Sequence, residues 1–311
     1  MHFVPWLLIG GPILAFSIWA LMDNVRLYLI TMLNGLTLAS LYFIVASGFT
    51  LVFGLMRNVN LAHGSLYLLG GYVGYLVAQY TGWWILAIAA GFAAAAILGL
   101  LMQVLILRHM QGQELRQTMV TIGLSIVIAD VLLWIFTGQV YQMEAPSLLQ
   151  GPIRNIPIIN AYSAYRLSLL GFGIIIGLFL WWLLNRTRVG AMIRAGVDDR
   201  GMLAASGVNV NLIFALTFML GAGLAGLGGV MGAVELSMVP GEDTRLLLAS
   251  LIVVIVGGMG SVVGAAIGAV ILGLSEAYGL AYAPTYSVVV TFVILIFVLA
   301  FRPRGIMGAK A

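Results

Sequence analysis

The sequence predicts an all-α polytopic membrane protein, a single transmembrane domain (residues 1–311) built as a bundle of about eight to ten transmembrane helices with broken or re-entrant segments. Of its 311 residues, 62% are hydrophobic and 8% are charged, and the mean hydropathy is +1.12. Soluble domains carry about 25% charged residues, so lipid must be the solvent for most of this chain. The apolar runs are roughly 20 residues or longer, as in membrane helices, whereas barrel strands alternate over about ten residues.

The apolar runs, taken in order, place the membrane segments. The first, 3–22, has no Lys or Arg before it and no clear cleavage site after it, so we predict an extra retained span within residues 1–26, with a signal peptide as the alternative. The run 246–278 is interrupted by GGMGSVVG (257–264) and is predicted to form two short or broken helices. The remaining segments are predicted at 29–56, 64–80, 83–107, 117–137, 168–185, 212–233 and 284–301.

Basic residues set the predicted orientation, because Lys and Arg concentrate in the cytoplasmic loops of membrane proteins. The segments 138–166 and 235–245 lie between basic groups and are therefore predicted to face outward, the first as a proline-containing loop. The net charge of +4 is explained by this topology and gives no reason to expect a nucleic-acid partner. The residues predicted to face the cytoplasm are Arg108, Arg116, the cluster at 186–200, Arg302, Arg304 and Lys310.

The sequence lacks the motifs of an enzyme site. A phosphate-binding G-x-x-x-x-G-K-[ST] loop needs a lysine, and the only lysine is Lys310, next to the end of the chain. There are three histidines but no H-E-x-x-H or G-x-S-x-G motif, and there is no cysteine for a disulfide or a thiolate. We therefore predict no catalytic residue, no metal site and no cofactor bound by this chain.

Polar residues are concentrated in NVNLAHGSLY (58–67), between two apolar runs. Together with polar residues of the preceding run, they are predicted to line a translocation path, where a polar substrate needs donors and acceptors. The alternative is that they satisfy the ends of broken helices. The predicted path residues here are Asn34, Thr37, Asn60, His63 and Ser65. The glycines predicted to break helices are Gly64, Gly257, Gly258 and Gly260.

Three acidic residues lie at or near membrane depth, where a charge is costly and often functional. Asp130 lies well inside its predicted span and is predicted to be a path or coupling carboxylate. The alternative is a carboxyl that is neutral or hydrogen-bonded between helices. Glu235 and Glu276 lie near the ends of spans and are predicted to be solvated.

The charged segment RAGVDDRGMLAASGVN (194–209) is predicted to form a short amphipathic helix at the cytoplasmic face. Asp198 is the expected N-cap of a helix over Asp199–Ser206, and Gly207 suits the position after its end. Met202 and its alanine neighbours supply a small apolar surface. The segment is therefore predicted to dock a cytoplasmic partner, with a solvated linker as the alternative.

Four stretches resemble, in order along the chain, the LivH-like permeases of the branched-chain amino acid (Liv-type) ABC importer family. They are NGLTLASLYFIVASGFTLVFGLMRNVNLAHGSLYLLGGYVGY (34–75), the loop described above, IVGGMGSVVGAAIGAVILGLSEA (255–277) and RPRGIMG (302–308). Residues 1–26 fall outside the resemblance. It implies that 194–207 is the coupling loop on which ATPase subunits dock. The candidate coupling residues are Arg194, Ala195, Asp198, Asp199, Met202, Ala204, Ala205 and Gly207.

The resemblance also implies partners and a substrate class. The chain is expected to pair with a second related permease in the bacterial inner (cytoplasmic) membrane and to work by alternating access. Two cytoplasmic ATP-binding subunits would hold ATP and Mg, and a periplasmic substrate-binding protein would deliver branched-chain or related hydrophobic amino acids. Urea, short amides and aromatic acids are alternative substrates. The alternative of another class is an ion-coupled secondary transporter or channel that uses Asp130.

Overall fold

The computed structural model describes residues 17–56, 60–110, 112–302 and 305–307. Residues 17–23 are helical, and we number the helices that follow. They are α1 (Val25–Met56), α2 (His63–Thr81), α3 (Trp84–Leu101), α4 (Glu114–Phe136), α5 (Ala164–Arg186), α6 (Arg188–Asp198), α7 (Arg200–Ala205), α8 (Val210–Glu235), α9 (Glu242–Gly257), α10 (Val262–Tyr282) and α11 (Ser287–Phe301). A π-helical segment (Met102–Ile106) and a 3-10 turn (Leu107–Met110) continue α3.

The predicted membrane segments within the described residues form helices, so the chain is an all-α polytopic membrane protein. Six helices in this part of the chain are long and apolar enough to cross a membrane: α1, α3, α4, α5, α8 and α10. The helices α2, α9 and α11 occupy the other predicted segments but are shorter or more polar, as expected of broken or re-entrant segments. Residues 1–16 of the predicted N-terminal span, with Arg304 and Lys310, lie outside the described residues.

The predicted interruption of 246–278 is confirmed as the turn between α9 and α10. Gly258 and Gly260 have φ values of 110° and 83°, in the region that residues other than glycine rarely adopt. The Ser261 hydroxyl then caps α10 by accepting the Gly264 amide at 2.9 Å. Two glycines of the predicted set therefore reverse the chain between these helices.

Helix α8 lies at the centre of the bundle and packs against α1, α2 and α3. Its glycines allow this close approach. A Cβ added at Gly229 would overlap the carbonyl oxygen of Tyr67, and one added at Gly226 would meet the Gly91 carbonyl and the Ala95 side chain. Small residues let helix backbones approach closely in lipid, where van der Waals packing replaces the hydrophobic driving force.

The segment 138–166, predicted to be an outward-facing loop, contains a short antiparallel hairpin formed by β1 (Pro152–Ile156) and β2 (Asn160–Ser163). The alternation of buried and exposed residues that marks a half-buried strand is missing, because most residues of this hairpin are exposed. Tyr141 and Met238 exchange backbone hydrogen bonds of 3.1 and 2.7 Å, which join this loop to the loop after α8. The two loops that were predicted to face outward therefore lie on the same side of the bundle.

We predict that Gly229→Ala lowers the thermal stability of the detergent-purified protein, because the new methyl group would meet the Tyr67 backbone and force α2 and α8 apart. Overpacking of this kind costs about 1–3 kcal/mol. Gly171→Ala in α5 is the matched control, since an added Cβ there meets no atom of the described residues within 4 Å. The control should leave the melting temperature unchanged or slightly raised. Equal melting temperatures for the two variants would contradict the close packing of α8.

Candidate functional site

A polar cluster joins the outer ends of α1, α5 and α8 to the hairpin. The Arg166 guanidinium bonds both carboxylate oxygens of Glu235, at 3.2 Å from Nε and 2.8 Å from Nη2, and its Nη1 donates to Asn34 Oδ1 at 2.9 Å. The Tyr162 hydroxyl donates to the same Asn34 oxygen at 3.0 Å and lies 3.1 Å from Thr37 Oγ1. We call these five residues the outer cluster. It brings together two predicted path residues, Asn34 and Thr37.

A cavity of about 390 Å³ lies over the outer cluster, and Ile30, Asn34, Pro152, Tyr162 and Arg166 are among its lining residues. Burial raises the pKa of the Tyr162 phenol above its ordinary value, partly offset by the Thr37 hydrogen bond and the Arg166 charge, so the hydroxyl stays a donor. The planar guanidinium of Arg166 suits a carboxylate, and Ile30 and Pro152 supply apolar wall. This arrangement can accommodate a small zwitterion with an apolar side chain.

A second polar cluster joins α1, α9 and α10. Arg245 forms ion pairs with Glu242 at 2.8 Å and with Glu276 at 2.9 Å, and the Tyr42 hydroxyl donates to the other Glu276 oxygen at 2.5 Å. The Glu235 and Glu276 side chains are 17% and 21% exposed. The prediction that these two carboxylates are solvated is therefore wrong, because each is held by an arginine that the sequence pattern did not connect to it.

His63 begins α2 and is fully buried. Its Nε2 lies 2.9 Å from the Val45 carbonyl oxygen, and its ring meets Phe49 edge-on with centroids 5.4 Å apart. A carbonyl only accepts, so Nε2 carries the proton and Nδ1 is left as an acceptor. No described residue bonds Nδ1.

Asn60 and Ser65 flank this histidine and are also buried. Asn60 Oδ1 accepts the Ala62 amide at 3.1 Å, whereas no described residue accepts from its Nδ2. The Ser65 hydroxyl bonds Ser125 of α4, with 2.7 Å between the two Oγ atoms and 3.0 Å to the Ser125 carbonyl. Within the described residues, the stretch thus connects α1 to α4 and leaves one donor and one acceptor unpaired.

Two of the glycines predicted to break helices pack closely against the backbone of another helix. Gly64 lies in the first turn of α2, where a Cβ would overlap the Asp243 carbonyl at the start of α9. Gly257 is the last residue of α9 and packs in the same way against the Gly264 carbonyl. Both positions need a glycine because another backbone comes close. The prediction of a break is therefore wrong for Gly64, whereas Gly257 ends α9 and Gly258 and Gly260 lie in the turn that follows.

Asp130 lies apart from the other predicted path residues. It is exposed on α4, whereas the buried residues of that helix lie on the opposite side. Among the described residues, no hydrogen bond or ion pair reaches its carboxylate. The carboxylate therefore faces away from the described part of the bundle.

The segment predicted to face the cytoplasm forms two short helices, α6 and α7, where one was predicted. The cap of α7 is Asp199, whose Oδ1 accepts the Met202 amide at 3.0 Å. Asp198, the predicted cap, is instead the last residue of α6, because that helix continues through it. Gly207 has a φ of 85°, as expected for its position after a helix.

One side of this helix pair packs on α8, and the other is exposed. Ile193 and Leu203 are buried, and the Arg200 guanidinium lies 4.7 Å from the centre of the Phe214 ring of α8. Met202 is 74% exposed. The exposed side, which we call the coupling surface, consists of Arg194, Ala195, Met202, Ala204 and Ala205.

Sequence reasoning missed Tyr42, Tyr162, Arg166, Glu242 and Arg245, which hold the two polar clusters together. Arg166 stands 69 residues from Glu235 and 132 from Asn34, and Arg245 stands 31 from Glu276. No local pattern links residues so far apart. Arg166 and Arg245 gave the one local signal, a basic side chain just before an apolar run.

The comparisons with known proteins agree with one another. The sequence profile of the family described as "Branched-chain amino acid transport system / permease component" matches residues 31–299. The high-affinity branched-chain amino acid transport system permease protein BraD of Pseudomonas aeruginosa is 30% identical over 304 residues, covering 92% of this chain and 98% of that protein. The permease protein LivH of Escherichia coli K12 is 30% identical over 302 residues, covering 90% and 96%.

A probable branched-chain amino acid transport permease protein LivH of Methanocaldococcus jannaschii is 26% identical over 290 residues, covering 87% of this chain and 89% of that protein. No solved structure matches the chain.

Proposed function

Because this chain belongs to the family of branched-chain amino acid transport system permease components, we propose that it is the membrane-spanning permease subunit of an ATP-driven ABC importer in the bacterial inner membrane. It moves branched-chain amino acids from a periplasmic binding protein into the cytoplasm. The observation that carries the proposal is the family match over residues 31–299, supported by relatives that align along nearly their whole length.

The energy source belongs to other subunits in this proposal. The chain has one lysine, Lys310, and no phosphate-binding loop motif, so the ATP and its Mg are held by two partner ATPase subunits. This chain binds no cofactor. A second related permease completes the membrane part of the transporter.

The coupling surface is the docking site of an ATPase subunit. Its small alanines and flexible Met202 suit a close apolar contact, and Arg194 adds a charge beside it. The helix pair beneath it is fixed to α8 by Ile193 and Leu203. A movement of the ATPase is therefore transmitted to a membrane helix rather than absorbed by a loose linker.

Substrate enters at the outer cluster and passes the stretch around His63. Arg166 lines the cavity, and the N–H groups that Glu235 and Asn34 leave free can donate to a substrate carboxylate. The apolar wall of the cavity suits an aliphatic side chain. Deeper in the bundle, the unpaired His63 Nδ1 and Asn60 Nδ2 offer an acceptor and a donor. Transport requires that the outward- and inward-open packings differ in affinity for substrate.

We predict that uptake into proteoliposomes requires this chain, the second permease, both ATPase subunits and the binding protein, and that it requires ATP. Labelled leucine is the substrate, with unlabelled isoleucine, valine, phenylalanine and urea as competitors. Isoleucine and valine should compete, and urea should not. Uptake driven by an ion gradient without the ATPase subunits would contradict the proposal, as would ATP hydrolysis by this purified chain alone.

A second prediction concerns the coupling surface. Met202→Glu places a charge in the centre of an apolar contact and should reduce both the ATPase subunits that copurify and the substrate-stimulated ATPase rate, by roughly tenfold or more for a loss of about 1.4 kcal/mol. Met202→Leu keeps the apolar volume and should retain both activities. A full ATPase rate in Met202→Glu would show that the ATPase docks elsewhere.

A third prediction concerns His63. His63→Ala should lower leucine uptake and substrate-stimulated ATPase, because it removes the acceptor offered by Nδ1, and His63→Gln should restore part of both. His109→Ala is the matched control, since that histidine is exposed at the end of the 3-10 turn after α3. Melting temperatures separate a packing defect from a transport defect. Unchanged uptake in His63→Ala would exclude a role for this residue in the path.

A further inference from the structure

Helix α4 carries an acidic side chain on the side that faces away from the other described helices. An α-helix turns about 100° per residue, so the buried positions of α4 fall on one side and Asp130 falls on the other. The buried positions are Gln117, Thr121, Leu132 and Phe136. Asp130 is exposed, and no described residue bonds its carboxylate.

The position of Asp130 along α4 places it inside the membrane. The helix runs from Glu114 to Phe136, so Asp130 stands about 24 Å from its beginning and about 9 Å from its end at about 1.5 Å per residue. An aspartate side chain is too short to reach the membrane surface over that distance. A carboxylate facing lipid at this depth is strongly unfavourable, which indicates that another polar group covers it.

The residues around Asp130 suit contact with a helix. Gly123, Val127, Asp130 and Trp134 follow one another at intervals of four, three and four, which places them on one stripe of the helix. We call these residues the α4 stripe. A Cβ added at Gly123 would meet no atom of a described residue within 4 Å, so packing against the described residues does not require this glycine. A glycine on the outward side of a membrane helix allows a second helix to approach closely.

Helix α5 provides the contrast. It is as little buried as α4, yet it has no ionisable residue between Arg166 and Arg186. Its outward side is occupied by Ile174, Ile175, Leu178, Phe179, Trp181 and Trp182. Those side chains are stable against lipid without a partner, and Asp130 on α4 is not.

We propose that the α4 stripe is the contact surface for the second permease subunit, and that a transmembrane helix of that subunit donates a hydrogen bond or presents a cation to Asp130. This rests on the proposed function, in which the transporter contains two permease chains. A symmetric contact of α4 with α4 of a second copy would set two Asp130 carboxylates against each other, which is repulsive. A related but non-identical subunit can place a donor there instead.

Photo-crosslinking in the purified transporter tests this contact. A p-benzoyl-phenylalanine is placed at position 127, on the α4 stripe, or at position 178, on the outward side of α5. Both positions hold exposed aliphatic residues, at 58% and 63%, so the two are matched in exposure. The complex with the second permease, the ATPase subunits and the binding protein is irradiated in lipid nanodiscs, and the adducts are identified by mass spectrometry.

The expected result is an adduct with the second permease from position 127 and none from position 178. An adduct from position 127 with lipid only, with a second copy of this chain, or with another subunit would overturn the proposal. ATP-driven uptake by the unmodified complex is measured in parallel. Loss of that ATP dependence would sink the proposed function, whereas a missing crosslink in an ATP-driven complex would sink the α4 contact alone.

Two substitutions then test the role of Asp130 itself. Asp130→Leu removes the acceptor and should lower the amount of second permease that copurifies with this chain, whereas Asp130→Asn keeps an acceptor and should retain most of it. Gly123→Leu should also lower copurification, with Gly171→Leu on α5 as its control. Full copurification of the second permease with Asp130→Leu would overturn the proposal. If that variant assembled but lost uptake, Asp130 would belong to the translocation path instead.

Discussion

The close contact between the backbones of α8 and α2 is the constraint on which the rest of the bundle depends. Gly229 stands against the Tyr67 carbonyl, and Gly70 stands against Gly226. Because these positions have no side chain, α8 can lie in the middle of the bundle and touch α1, α2 and α3 together. In lipid there is no water to be released from such a contact, so its stability comes from the close approach itself.

The charged residues follow from a different constraint, the cost of ions at membrane depth. Glu235 is paired with Arg166, which joins α8 to α5, and Glu276 is paired with Arg245, which joins the consecutive helices α10 and α9. Part of each arginine remains exposed, so these pairs orient the ends of helices more than they stabilise the fold. Asp130 differs from these two carboxylates, because no described residue bonds it.

The sequence predicted those features that depend on neighbouring residues. The length of an apolar run predicts a span, and the left-handed backbone at Gly258 and Gly260 explains the turn after α9. The sequence did not distinguish a glycine that forms a turn from a glycine that packs against another backbone. Gly64 is of the second kind, because the Asp243 carbonyl lies against it only in the folded protein. The outer cluster was equally hidden, since Asn34 meets Arg166 only after the helices pack. The choice of Asp199 over Asp198 as a cap depended on where α6 ends.

The helices on either side of the coupling surface meet again at the outer face. Helix α5 precedes α6, and α8 follows α7, so the two membrane helices are joined at the cytoplasmic end through the helix pair. At the other end they are joined by the Arg166–Glu235 pair and by the Tyr165 hydroxyl, which donates to the Met231 carbonyl at 2.7 Å. With 26 residues, α8 reaches about 39 Å. In the proposed importer, a displacement of the coupling surface that separates α5 from α8 would act on the ion pair beneath the outer cavity. A movement of the ATPase at one face would then change access at the other face through this single pair of helices.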